Sequence, residues 1–271
     1  YFLDAKAIKL AKSIKASDRG ELEITDLLNL YIKKNKLHVE TLRRGLVWFD
    51  MGTYKSLLEA IFHAGIYYNC KIYIEWINSR ENTHFLLDTI DGIIIPGGFG
   101  HTGIETSISL IQSFREKKIP TLGICLGMQL MVIEYFRNVL QMENAGSEEF
   151  GKYNPNVISS IKELSDTKMG GTMRLGKFKI QLNNPKIKEI YKTNIIHERH
   201  RHRYSIHGEY VSYFNSTGLS IAGNDYEKKH IIEIVEMNEN IHPWYIGCQY
   251  HPEYQSSPFN PHPLFLSFIQ Q

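Results

Sequence analysis

The stretch Thr121-Leu122-Gly123-Ile124-Cys125-Leu126-Gly127-Met128-Gln129 limits the fold more than any other part of the chain. An apolar run of strand length, residues 121–124, meets Cys125 and then a second apolar run through Met128, Leu130, Met131, Val132, Ile133, Tyr135 and Phe136. The second run is apolar enough for a buried helix. A strand that becomes a helix across one residue leaves Cys125 on the joint, at the carboxyl end of the strand and beside the helix N-terminus. The unpaired N–H groups there favour a thiolate over a thiol, and Gly123 and Gly127 give the turn room. An ordinary cysteine, with a pKa near 8.5, is only about 3% thiolate at pH 7. Lowering that pKa by about two units makes most of it reactive, at roughly 1.36 kcal/mol per unit. The bland alternative is an inert buried thiol, the common fate of a free cysteine in an apolar setting.

Two further segments weigh against the bland reading. Ile93-Ile94-Ile95-Pro96-Gly97-Gly98-Phe99-Gly100 is another apolar strand, ending in a glycine-rich loop. Its N–H groups, together with that of Leu126, can hold the oxyanion of a tetrahedral intermediate, where one lost donor costs about 2.7 to 4 kcal/mol. Gln249-Tyr250-His251-Pro252-Glu253-Tyr254 places a histidine and a carboxylate at i and i+2, which share a face in an extended chain. The carboxylate can then orient the imidazole as the third member of a triad does. Alone, each segment reads as a glycine turn or a strand end. Together they read as a cysteine nucleophile with its base, its orienting acid and its oxyanion donors.

From about Tyr54 the chain alternates apolar strands (72–76, 92–95, 121–124) with helical stretches. That alternation predicts an α/β layer with a largely parallel sheet, in which ligands bind at the carboxyl ends of strands. Gly98 and Cys125 fall there. Segments around 178–182, 195–204, 219–222, 231–235 and 246–250 read as further strands, some of them antiparallel. No internal repeat or low-complexity tract is present.

The motifs carry a specific resemblance. GICLGMQL and the IEYFRNVL that follows it, ENAGSEEF around Glu149, MGGTMRLG from Met169, the run Glu198-Arg199-His200-Arg201-His202-Arg203-Tyr204 and the ending HPEYQSSPFNPHPLF are similar to the class I (triad) glutamine amidotransferases. Within that class they look like the domain at the C-terminus of CTP synthases. The resemblance spans 54–271 and implies a flavodoxin-like layered fold. It implies Cys125 as nucleophile, His251 as the base that activates it and Glu253 as the residue orienting that base. Gly98 and Leu126 match the oxyanion-hole positions. Gln129, Glu149 and Arg203 match positions that hold L-glutamine, the Glu reading its ammonium and the Arg its carboxylate, and Phe99 walls the pocket. The implied reaction is hydrolysis of L-glutamine through a glutamyl thioester to glutamate and ammonia. MGGTMRLG, with Arg174 on it, matches a mobile segment beside the site. No cofactor is implied for this part: ATP and magnesium belong to a synthetase domain that makes CTP from UTP, and GTP is a candidate activator.

Two places depart from the family. Ser205 stands where a glutamate usually follows the HRHRY run, and His101-Thr102-Gly103-Ile104-Glu105-Thr106-Ser107 lacks a usual basic pair. Neither touches the triad. The histidine-rich run has a rival reading, with His197, His200, His202 and Glu198 as zinc ligands. The arginines interleaved with them argue against a dication; an anion-binding or nucleic-acid patch rests on the same local charge, and a carboxylate-binding arginine row fits better.

The first part, 1–53, is different. Its GELEITD and W-F-D-M-G-T stretches are similar to the later part of glucose-1-phosphate thymidylyltransferases, in which the aspartate closing GELEITD helps hold magnesium. Here that is Asp26. The glycine-rich nucleotide-binding beginning is absent, so Asp26 is expected to be a helix N-cap and a residual, non-functional metal position. This part is expected to be a small incomplete α+β fragment, with strands within 37–49. The stretch from Thr53 to Ala60 fits both families, the mark of recombination or of a cloning artefact, and gives a chimeric fusion.

A net charge of +2 over 271 residues argues for neither nucleic acid nor membrane as partner. Three widely spaced cysteines (Cys70, Cys125, Cys248) point to a reducing compartment. No signal peptide and no apolar run of spanning length is seen, so a cytoplasmic location is expected. The expected enzyme is a glutaminase of the CTP synthase type without its synthetase domain. The open alternatives are a catalytically idle interaction module and a subunit supplying ammonia to a separate synthetase chain; a homo-oligomer is also open.

Overall fold

The computed structural model describes residues 6–15, 24–34, 36, 54–77, 89–99, 103–161, 173–214 and 217–271. The strands expected within 37–49, the start of GELEITD, the first four residues of MGGTMRLG, Gly100 and the His101-Thr102 pair lie outside those residues. The described residues belong to two compact units. In the first, α1 (Ala7–Ala11) and α2 (Ile24–Lys33) share a small apolar cluster of Ala7, Leu27 and Tyr31. Asp26 is exposed inside the first turn of α2 and is not its N-cap. A carboxylate there complements the positive end of the helix dipole.

The second unit holds α3 (Tyr54–Tyr67), β1 (Ile93–Ile95), α4 (Ile104–Glu116), β2 (Thr121–Ile124), α5 (Leu126–Asn138), β3 (Gly146–Ser147), β4 (Asn156–Ser160) and β5 (Arg174–Leu182). It continues with α6 (Pro185–Tyr191), β6 (Ile195–His202), β7 (Tyr204–Ile206), β8 (Leu219–Asp225), β9 (Ile232–Met237), β10 (Tyr245–Cys248) and α7 (Pro263–Ile269). Seven strands form one sheet in the order β1-β2-β10-β9-β8-β5-β6, and β3-β4-β7 form a second, small one.

The main sheet is mixed rather than largely parallel. β1, β2 and β10 pair in parallel, and every pairing from β10 outward to β6 is antiparallel. The reason is connection length. A parallel crossover needs a dozen or more residues, which β1 to β2 has through α4, whereas β8 to β9 and β9 to β10 are joined by short loops. Residues 72–76 form no strand, although Ile72 and Ile74 pack inward while Tyr73 and Trp76 stay exposed. Alternation was present there, but no ladder partner is present among the described residues.

Helices cover both faces of the sheet. α4 and α5 pack against Val235, Met237 and Tyr245, while α3, α6 and α7 pack against Leu122, Ile124, Ile180, Ile234 and Ile246. Every residue of α5 from Leu126 to Phe136 is buried, which is why its sequence shows no polar face. Its single charge there, Glu134, is held by the Arg115 guanidinium of α4 at 2.8 to 3.1 Å. Glycines let this helix lie close to the strands. A Cβ on Gly123 would stand 2.2 Å from Met131 Sδ, and one on Gly127 would stand 2.1 Å from the Ile95 carbonyl oxygen.

Candidate active site

Cys125 ends β2 and caps α5 with φ 52° and ψ −105°. A non-glycine residue at positive φ costs of order 1–3 kcal/mol and persists only where its surroundings fix it. Here its N–H donates to the Cys248 carbonyl on β10 at 2.7 Å, and its own carbonyl accepts from the Gln129 N–H at 3.3 Å. The side chain is thereby turned out of the sheet at the carboxyl end of the parallel strands, where the strand–helix reading placed it.

Beyond β10 the chain runs extended through His251 into the short 3-10 turn Pro252–Gln255. The i and i+2 spacing does what an extended segment requires: His251 Nδ1 donates to Glu253 Oε1 at 2.7 Å. The Tyr254 ring stacks on the imidazole with centroids 4.8 Å apart. His251 Nε2 is buried with no hydrogen-bond partner. Burial alone would lower the His251 pKa, but Cys125 and Glu253 on either side of the ring outweigh it and push it up to about 10. The same segment lies along the outer edge of β6, whose alternate carbonyls it occupies. His251 N donates to Arg199 O and Gln255 Nε2 to His197 O, both at 2.9 Å, and Cys125 Sγ stands 4.0 Å from Arg201 O.

Cys125, His251 and Glu253 line one cavity of about 160 Å³ together with Gly97, Gly98, Phe99, Tyr54 and Arg201. Gly97 must be a glycine, because a Cβ there would stand 2.8 Å from His251 Cε1. Gly98 faces the Leu126 side chain. Phe99 is exposed, 5.6 Å from the Arg201 guanidinium. Leu126, Gln129, Glu149 and Arg203 do not line this cavity. The last three gather around Tyr204. Gln129 Nε2 donates to the Tyr204 carbonyl at 3.1 Å, and the Tyr204 hydroxyl is raised by burial first and by Glu149 next, while Arg203 lowers it.

Three residues escaped the motif reading. Arg201 and Tyr254 lie inside motifs already singled out, and their proximity to the cavity needs the fold. Gln249 is fully buried, and its Nε2 donates to Cys125 Sγ at 3.7 Å. A signal for it existed: Gln249, His251 and Glu253 continue one two-residue period.

The histidine run does not group as the zinc reading of it expects. Along β6, Glu198, His200 and His202 are buried, while His197 is exposed and Arg199 and Arg201 are partly so. The arginines thus alternate with His200 and His202 and do not share their side of the strand; His197 lies on the arginines' side. Glu198 binds His262 Nε2 at 2.9 Å and also Gln255. The cation beside the histidines is Arg174, which is buried at the start of β5 and ion-paired to Glu233 and Asp225. Arg174 is therefore packed into β5 and does not line the cavity. Among the described residues the one group of potential ligands that stands close is His200, His202 and Glu233, and Asp26 belongs to no such group. Burial first, and Arg174 among other charges, holds His200 well below its usual pKa and His202 at about 3, so both are neutral. His202 Nδ1 donates to Tyr204 O at 2.8 Å, which leaves Nε2 to accept from His200 Nδ1 at 3.1 Å. These two nitrogens serve each other.

Comparison with known proteins bears on the whole second unit. Residues 50–271 match the family described as glutamine amidotransferase class-I, and residues 1–64 match the nucleotidyl transferase family. The two matches overlap across the stretch that fits both sequence patterns. A CTP synthase of Hydrogenobaculum sp. (strain Y04AAS1) is 47% identical over 220 residues, which is 80% of this chain and 41% of that protein. A CTP synthase of Clostridium perfringens (strain SM101 / Type A) is 45% identical over 223 residues, with the same coverage. The chain spans about two fifths of the length of these relatives. Among solved structures, the Trypanosoma brucei CTPS glutaminase domain with bound acivicin superposes with a TM-score of 0.73 at 33% identity, covering 81% of this chain and 87% of that one. Among the described residues no helix is long and apolar enough to cross a membrane.

Proposed function

The chain belongs to the class-I glutamine amidotransferase family, and on that premise we propose that it hydrolyses L-glutamine to glutamate and ammonia with Cys125, His251 and Glu253 as its triad. The observation that carries this reading is one cavity shared by a sulfur, an imidazole bonded to a carboxylate, and a glycine loop. With a pKa near 10 the imidazole holds its proton at neutral pH. The sulfur then attacks the side-chain carboxamide carbon as an anion, and the new oxyanion is met by the N–H groups of Gly98 and Leu126. As the C–N bond breaks, His251 gives its proton to the leaving nitrogen, and ammonia departs from a glutamyl thioester. Water next attacks the thioester, its proton passes to His251, the C–S bond breaks and glutamate leaves. Glu253 keeps the ring oriented and its charge stabilised throughout.

Glu149, Arg203 and Gln129 are assigned to the ammonium, carboxylate and neighbouring contacts of glutamine, and Phe99 to the pocket wall. We assign 54–271 to the amidotransferase domain and 1–53 to a nucleotidyltransferase-like segment. The likeness to CTP synthases supports a synthetase domain or chain as the consumer of the ammonia, in forming CTP from UTP and ATP. Glutamate release is the direct assay. Cys125→Ala should abolish it while leaving the circular dichroism spectrum and melting midpoint unchanged. Retained turnover in that variant overturns the assignment.

A further inference from the structure

We propose that Gln249 is a positioning residue whose side-chain N–H holds the Cys125 sulfur in its anionic form, in an orientation dictated by the backbone carbonyl of Tyr204. The proposal rests on the reading of Cys125 as the nucleophile. An amide side chain can present either its oxygen or its nitrogen to a neighbour, and the choice must come from the surrounding hydrogen bonds. Here the chain of choices is closed. Tyr204 O can only accept, so the atom of Gln129 that lies 3.1 Å from it is Nε2, a donor. The same Nε2 stands 3.2 Å from the Gln249 side chain, which must therefore present Oε1 to it. That leaves Gln249 Nε2 facing Cys125 Sγ at 3.7 Å.

The sulfur thus meets an N–H that cannot be exchanged for a carbonyl. A thiol would gain nothing from its proton on that side, whereas a thiolate gains a charge-assisted bond. The second lone pair of Tyr204 O is taken by His202 Nδ1 at 2.8 Å, so the carbonyl is held from both sides. Gln129 and Gln249 are 3% and 0% exposed, so bulk solvent does not reach the relay. Gln249, His251 and Glu253 then form one functional strip: the first stabilises the anion, the second carries the proton, and the third orients the second.

The test uses the full chain and needs no turnover. Alkylation of Cys125 by iodoacetamide is followed by peptide mass spectrometry, which separates it from exposed Cys70 and buried Cys248. In Gln249→Met the rate at pH 7 should fall about tenfold or more, the usual weight of a hydrogen bond to a charge. The two rates should converge as pH rises. A merely structural role would lower the rate alike at every pH. In the glutaminase assay kcat should fall and KM stay within about twofold. An unchanged alkylation profile in a folded Gln249→Met variant overturns the proposal. Should that variant not fold, the wild type decides. The Gln249 side-chain amide ¹⁵N–¹H resonance should move as Cys125 ionises and stay still in Cys125→Ala; a static resonance in both overturns the proposal. Absence of glutaminase activity in the wild type, with the alkylation profile as expected, would instead count against the proposed reaction and leave this inference standing.

Discussion

Replacing Gly127 by alanine tests the packing that aims Cys125, the proposed nucleophile. The new Cβ would stand 2.1 Å from the Ile95 carbonyl oxygen and 2.9 Å from its carbon, both backbone atoms that cannot rotate away. To reach ordinary contact, the first turn of α5 must move off β1 by about 1 Å, and Cys125 and Leu126 move with it. Two effects oppose each other. Alanine in a helix gains up to about 1 kcal/mol over glycine, while overpacking a closed core costs about 1–3 kcal/mol. The rigidity of the clashing atoms puts the cost at the upper end, so a net loss of about 2 kcal/mol is expected. For a chain of this size that lowers the melting midpoint by roughly 5 °C. Catalysis should suffer more than stability, because a displacement of about 1 Å at reacting groups costs about 100-fold. Gly98→Ala is the stability control, since its Cβ would meet only Leu126 Cδ2, at 3.3 Å on a side chain that can turn; its melting midpoint should stay near the wild-type value. Urea unfolding, thermal melts and kcat/KM for glutamate release read all of this. A Gly127→Ala chain with wild-type midpoint and kcat/KM within twofold of wild type refutes the argument.

Glu253→Gln should bring the His251 pKa down from about 10, because the carboxylate that helps hold the imidazolium is gone; ring NMR across pH 5–11 measures it. Because the folded pKa lies above the unfolded value, the pair's stabilisation is complete below about pH 6.5 and is lost as pH rises through about 10. The variant should show less of that loss, since Cys125 still helps hold the charge, and an unchanged stability profile would count against the pairing. Glutamate release should fall by about 10³–10⁴-fold, as when an orienting acid is neutralised. Arg174→Met leaves Asp225 and Glu233 buried without their cation, at a cost of about 3–5 kcal/mol in urea unfolding. Burial already pushes Glu233 up to about 8 in spite of Arg174, so protonation competes with its ion pair as pH falls through that value. Glu233 therefore makes stability fall between about pH 4.5 and 8. The Arg174→Met deficit should shrink below pH 5, and a deficit that grows there would contradict the burial argument.

The strand–Cys–helix joint was legible because it rests on short-range pattern: β2 spans the residues read as a strand, and Cys125 sits on the turn. The His251–Glu253 pair was legible for the same reason, as two side chains on one extended segment. Sheet direction was harder, since apolar strands look alike whether their neighbours run parallel or antiparallel, and only the short β8–β9 and β9–β10 loops carried the signal. Arg174 was misplaced because its partners, Asp225 and Glu233, lie about 50 to 60 residues away in sequence and no local period links them. The Gln129–Gln249 contact spans 120 positions and has the same cause.

The occupation of β6 by the triad segment has a consequence for solubility. β6 is the last strand of the seven-stranded sheet, and its outward carbonyls at His197, Arg199 and Arg201 would otherwise invite a strand from another molecule. The His251 backbone and the Gln255 amide donate to two of those oxygens, and Cys125 Sγ stands 4.0 Å from the third. The stretch proposed to carry the chemistry is also the sheet's fence against self-association. Damage that frees residues 251–255 should therefore surface first as turbidity in a concentrated sample, before any change in helix content.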